Sequence, residues 1–220
     1  LQQTSGVATA DVVAAKAGVR AVPVPVPVPV VRDLRDRAGR SPHRLVFAAG
    51  DVVVVSGLPG SGKSTLIRRT ARGVRTIDSQ DVRERWDGRT PGWLPYALYR
   101  PLVRIAHYAG LRQALRSGES VVVHDCGTQT WVRRWLAREA RRRGRGLRLV
   151  LLDVTPEVAR DGQRERGRGV SGYAFARHRR AVGTLVRDAE GERLPGGCAS
   201  AVLLDRTAAG ALREIGFEGA

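Results

Sequence analysis

The chain has 220 residues, with 38 Lys or Arg against 21 Asp or Glu, for a formal net charge of +17 at pH 7. That length suits one ordinary domain with a tail, and its two distant cysteines, Cys126 and Cys198, exclude a disulfide framework or a zinc site. No apolar run reaches the roughly 18–20 residues of a membrane span, and the first residues lack the basic start and apolar core of a secretory signal. The expected setting is therefore reduced and cytoplasmic, with no membrane partner.

Residues 1–40 are expected to be a low-complexity extension. Ala21–Val31 reads AVPVPVPVPVV. Proline at every second position removes ladder donors, so the reading is an extended spacer or disorder rather than a strand. The domain is expected to span residues 41–220.

From there short β-branched runs alternate with helical ones. Strands are expected at Asp51–Ser56, Val74–Ile77, Ser120–His124, Leu147–Leu152 and Ala201–Leu204, and Leu45–Phe47 as an edge strand paired to the first. Helices are expected at Lys63–Arg72, Asp81–Trp86, Tyr96–Arg116, Trp131–Arg143, Pro156–Glu165, Tyr173–Asp188 and Ala208–Glu214. Strands separated by helices imply an α/β fold, a parallel sheet of about five strands with helices on both faces. Its ligands belong beyond the carboxyl ends of the strands.

The most specific motif follows the first of those strands. Gly57-Leu58-Pro59-Gly60-Ser61-Gly62-Lys63-Ser64-Thr65 has the P-loop spacing and opens into a helix. Glycines let successive backbone N–H groups wrap an anionic phosphate, and the helix N-terminus adds unpaired donors. Lys63 supplies a compact charge to the outer phosphates, and the Ser64 hydroxyl suits magnesium. Only Lys16 and Lys63 are lysines; the remaining basic residues are arginine. The expected ligands are a nucleoside triphosphate and Mg2+. A pI near 11.5 also leaves nucleic acid open as a partner.

Polar residues close three further strands. After Ile77, Asp78 or Asp81 can accept the proton of an attacking hydroxyl and Arg83 can hold an anionic group of the acceptor. Asp78 as helix N-cap with Asp81 as its partner is the structural alternative. Asp125 ends an apolar strand in the Walker-B manner and is expected in the magnesium shell with Ser64. His124 points the opposite way and is expected to be a core or hydrogen-bonded residue. After Asp153, a helix gives way to a glycine-broken arginine stretch in which Arg164 and Arg168 are expected to stabilise the transferring phosphoryl group. Arg133, Arg134, Arg138 and Arg141–Arg143 are expected on a solvated or nucleic-acid-facing surface. Trp86–Tyr96 either lines the acceptor site or packs a loop against the core.

These elements, in this order, resemble the small P-loop kinases that include polynucleotide 5′-hydroxyl kinases and zeta-toxin-like kinases. The matching pieces are GLPGSGKST, IDSQDVR, VVVHDCGT, LLDVTPEVA and the R-x-R-G-R stretch, spanning Val52 to Ser171. The resemblance implies a P-loop NTPase fold, dependence on ATP and magnesium, and phosphoryl transfer to a hydroxyl of a polynucleotide, nucleotide-sugar or small metabolite. In polynucleotide kinases the base aspartate stands three residues before the substrate-binding arginine. Here Gln80 stands three before Arg83. An ATPase or nucleotide-dependent switch engaging nucleic acid or a partner protein is the competing expectation.

Overall fold

Val52, Val53, Val54 and Val55 are each at most 2% exposed, which only a strand covered on both faces allows. A computed structural model describes residues 30–37, 40–78, 82, 85–86, 88–89, 91, 93–125, 129–165, 167 and 169–218. It places those valines in β3 (Val52–Gly57), between β5 (Val121–Asp125) and β6 (Leu147–Leu152). β4 (Arg75–Ile77) lies outside β5, while β7 (Cys198–Leu204) and then β1 (Val30–Asp33) lie outside β6. All five pairings of this six-stranded sheet are parallel.

Alternate residues of each strand feed opposite cores. Val52 and Val54 pack with α2 (Tyr96–Ser117), α3 (Thr130–Arg141) and α5 (Gly172–Glu190). Val53 and Val55 pack on the other face with α1 (Lys63–Thr70) and α6 (Arg206–Ala211). α4 (Pro156–Arg164) follows β6, its start fixed by Thr155, which accepts from Val158 N, and by Pro156 in the first turn. The chain is thus an α/β P-loop NTPase fold.

Three details differ from the sequence expectation. Val30–Asp33 form an edge strand on the N-terminal side of the boundary expected at residue 41, giving the sheet six strands. Arg35 secures that strand by ion pairs to Asp33, Asp153 and Glu190, and holds the Asp33 carboxyl below its usual pKa. The Val/Pro run before residue 30 lies outside the described residues. β2 (Arg44–Phe47) does not join the first core strand; it pairs in parallel with β8 (Glu214–Phe217) as a separate two-stranded sheet. The last helix therefore stops at Ala211, and Glu214 begins a strand rather than ending that helix. No described helix is long and apolar enough to cross a membrane.

At the amino end of β3, Asp51 is 1% exposed and accepts from Gly146 N at 2.7 Å and Arg148 Nε at 2.7 Å. It joins the start of β3 to the start of β6. Asp51→Ala leaves both donors without their acceptor, so the expected loss is about 3 kcal/mol of unfolding free energy. Urea titration of the variant measures it, and a loss below about 1 kcal/mol would make this pair no better than a surface one.

Candidate functional site

The carboxyl edge of β3 turns directly into the glycine loop. Gly62 caps α1 with φ +96°, in the left-handed region, and its side is open, with nothing within 4 Å of an added Cβ. A side chain there would be strained and would project into the cradle. Ser61 Oγ is buried in the same loop without a protein hydrogen-bond partner, a donor suited to an anionic oxygen. Lys63 is 4% exposed, and its Nζ donates to the carbonyls of Gly57 at 2.8 Å and Leu58 at 2.7 Å. The loop thus concentrates an ammonium and backbone donors at one helix N-terminus, an anion site by construction.

Asp78 follows β4 and reaches this loop. Its Oδ2 accepts from Ser64 Oγ at 3.3 Å, across 14 residues of sequence. Its Oδ1 lies 3.2 Å from His124 Nδ1, both side chains being 12% exposed. That approach is an ion-pair distance without hydrogen-bond alignment. His124 therefore sits on the α1 face of the sheet, beside the site rather than in the deep core. His107 of α2 lies within electrostatic reach of both; burial holds its imidazole below the usual pKa, Asp78 opposing that effect and His124 adding to it. Sequence reading had no signal for His107, since a lone histidine on a helix carries none.

Asp125 lies on the other face. It shares that side with Val123, which belongs to the same core as Leu136 and Ala137 of α3. Its Oδ2 is 3.1 Å from Arg133 Nη1, and the Arg133 side chain is 6% exposed. Arg133 is thus a buried ion-pair partner, not the surface arginine the sequence suggested; Arg134, Arg138, Arg141 and Arg142 do face solvent. The amphipathic pattern of α3 admits one arginine on its inner side because a carboxylate waits there. Asp125→Ala should cost about 3 kcal/mol by taking the counter-charge from a buried guanidinium, measurable by urea denaturation. The milder Asp125→Asn, once folded, should retain magnesium-dependent turnover within about threefold. A tenfold loss of turnover at full stability would place Asp125 in the metal shell, as the sequence suggests.

Asp81, Arg83 and Arg168, with Gln80, lie outside the described residues. Arg164 closes α4 at 77% side-chain exposure and pairs with Asp161 at 2.6 Å. In the expected acceptor segment, Trp86 and Leu94 pack against a small core of Val82, Tyr99 and Val103, while Trp93 is 79% exposed. Tyr108 of α2 and Trp131 at the start of α3 have ring centroids 5.2 Å apart. Beside the loop runs a cleft of ≈ 370 Å³ bordered by Gly60, Thr65, Arg69, Val158, Glu165 and Arg206.

The residues fit a hydrated magnesium ion held mainly by phosphates. Ser64 and Asp78 offer hard oxygen donors side by side, and no cluster of three or more acidic, His or Cys side chains among the described residues makes a protein-only cage.

A family model described as an AAA domain matches residues 52–189, well over half of the chain. The shikimate kinase of Corynebacterium glutamicum is 40% identical over 68 residues, 30% of this chain and 40% of that enzyme. The match thus spans two-fifths of the curated relative's length. Among solved structures, a presumed kinase from Chloroflexus aurantiacus j-10-fl is 19% identical, covering 71% of this chain and 85% of that one, with a TM-score of 0.47. A gluconokinase from Sinorhizobium meliloti 1021 is 22% identical, covering 75% and 93%, with a TM-score of 0.42.

Proposed function

The chain belongs to the AAA domain family, and from that premise we propose that it is an ATP- and magnesium-dependent kinase that phosphorylates a hydroxyl of a small molecule or polynucleotide. One observation carries the reading: a carboxylate at the end of β4 is hydrogen-bonded to the P-loop serine. Phosphate cradle and acidic group are then within one constellation, as phosphoryl transfer requires. The short shikimate kinase match is in keeping with a small hydroxylated acceptor.

In this reading the loop amides and Lys63 hold the outer phosphates, and the nucleoside end occupies the cleft beside Arg206 and Val158. Ser64 and Asp78 would hold magnesium, which when bound would neutralise charge on the transferring phosphoryl group. The bond from the γ-phosphorus to its bridging oxygen breaks as the acceptor oxygen bonds to that phosphorus. The acceptor's proton passes to a carboxylate, and ADP leaves. Asp81, three residues beyond Asp78, is the proton acceptor we propose; its place at the start of the expected helix keeps it ionised. Arg83 would orient the acceptor, with Arg164 at the end of α4 and Arg168 beyond it in sequence supplying positive charge. Asp81→Asn should lower transfer about 10²-fold while ATP affinity is kept. Isothermal titration beside a transfer assay tests this, and an unchanged rate would remove Asp81 from the chemistry.

A second reading, an ATPase or nucleotide-dependent switch, is favoured by Gln80 standing where the resembling kinases place a base. It predicts ADP and inorganic phosphate with no labelled acceptor. If its exposed arginines engage nucleic acid, oligonucleotide affinity must fall steeply with salt.

A further inference from the structure

α4 does more than lead out of the sheet: it is pressed against the phosphate loop. A Cβ on Gly60 would lie 1.9 Å from the Ala159 carbonyl oxygen, and one on Gly162 would lie 2.4 Å from the Gly60 carbonyl oxygen. Loop and helix backbones therefore touch, and neither can move inward alone. One turn on, Gln163 is 9% exposed. Its Nε2 donates to the Pro59 carbonyl at 3.1 Å, and its Oε1 accepts from Val170 N at 3.0 Å. The two partners have opposite polarity, so only this orientation of the amide satisfies both. Gln163 also borders a cleft of ≈ 280 Å³ with Arg160, Arg164, Val170 and Phe175, over whose ring the Arg160 guanidinium lies at 4.9 Å.

We infer that Gln163 is a positioning residue that couples the phosphate loop to the α4–α5 connection, its single amide bonding Pro59 on one side and Val170 on the other. A loop that settles onto phosphates carries the Pro59 carbonyl with it, and the amide passes that displacement to Val170, just before α5. The inference rests on the nucleotide reading of the loop for its catalytic consequence, but the coupling exists in the free protein. Polar side chains at such junctions usually cap a helix; this one spans 104 residues of sequence to the loop.

The test uses the full chain with Gln163→Met, which removes both bonds at similar volume, and Gln163→Glu, which keeps the acceptor for Val170 and loses the donor to Pro59. Amide exchange in the free protein should quicken at both residues 57–62 and residues 169–171 in Gln163→Met, with circular dichroism unchanged. The turnover number for ADP formation should fall about tenfold in both variants, the effect of a buried group left unpaired, while ATP affinity shifts less than threefold. Burial raises a carboxyl pKa. Arg160 and Arg164 border the same cleft and favour the ionised acid, so Gln163→Glu should recover relative to wild type only toward the acid end of the range in which the protein stays folded, when the protonated acid can again donate to Pro59, and Gln163→Met should not. Exchange confined to one segment, a turnover number within twofold of wild type, or turnover and affinity falling together without recovery at low pH would overturn the inference. Coupled exchange in a protein that binds no ATP would uphold the coupling and refute the nucleotide reading.

Discussion

Lys63→Ala should reduce ATP turnover by about 10³-fold or more, the scale of losing a charged clamp on transferring phosphoryl oxygens. Nothing in the chain can replace it. Lys16 is the only other lysine, and an arginine fork does not fit a site built around a point charge whose Nζ sits within 2.8 Å of two loop carbonyls. The variant should fold, because the loop's glycine geometry and its contact with α4 are backbone features. Steady-state ADP release and equilibrium ATP binding on the purified variant check it. Wild-type affinity and rate in a folded Lys63→Ala protein would remove the P-loop assignment.

Asp78→Asn is the second large effect, about 10²-fold or more in magnesium-dependent turnover. Asparagine keeps an acceptor for Ser64 Oγ and nearly the same shape, so the fold should survive. It loses the negative charge proposed above to hold the cation against the phosphates. ATP binding without magnesium should be unchanged or tighter, since one repulsive charge leaves the site. Raising magnesium should restore part of the rate if the variant's defect is metal affinity. A variant with wild-type magnesium dependence would reduce Asp78 to a helix-capping residue, the structural alternative read from sequence.

The P-loop was legible because its requirements are stated in residue types: a buried valine run, glycine where φ is positive, and a lysine in a chain that otherwise uses arginine. The parallel sheet was legible for the same reason, through strands apolar on both faces. What the sequence hid was the identity of neighbours. Strand alternation puts His124 and Asp125 on opposite faces, but it does not say which face meets Ser64 and which meets Arg133. The inward turn of Arg133 followed from a carboxylate eight residues earlier, with no local sign. β1 and β8 were hidden differently. Val30–Asp33 directly follows a proline-alternating run, and Glu214–Phe217 gains its strand from β2, some 170 residues away. Non-local pairing of four-residue strands leaves almost no periodicity to read.

The most direct measurement follows the phosphorus. Purified protein is incubated with magnesium and ATP labelled at the γ-phosphorus, against 5′-hydroxyl oligonucleotides, sugars and small polyhydroxy acids. The account predicts that label moves to one class of hydroxyl acceptor in wild type, and that transfer disappears in both Lys63→Ala and Asp78→Asn. Label appearing only as inorganic phosphate across the whole panel would contradict a kinase and establish an ATPase; label transferred undiminished by Asp78→Asn would contradict the site built here around Ser64.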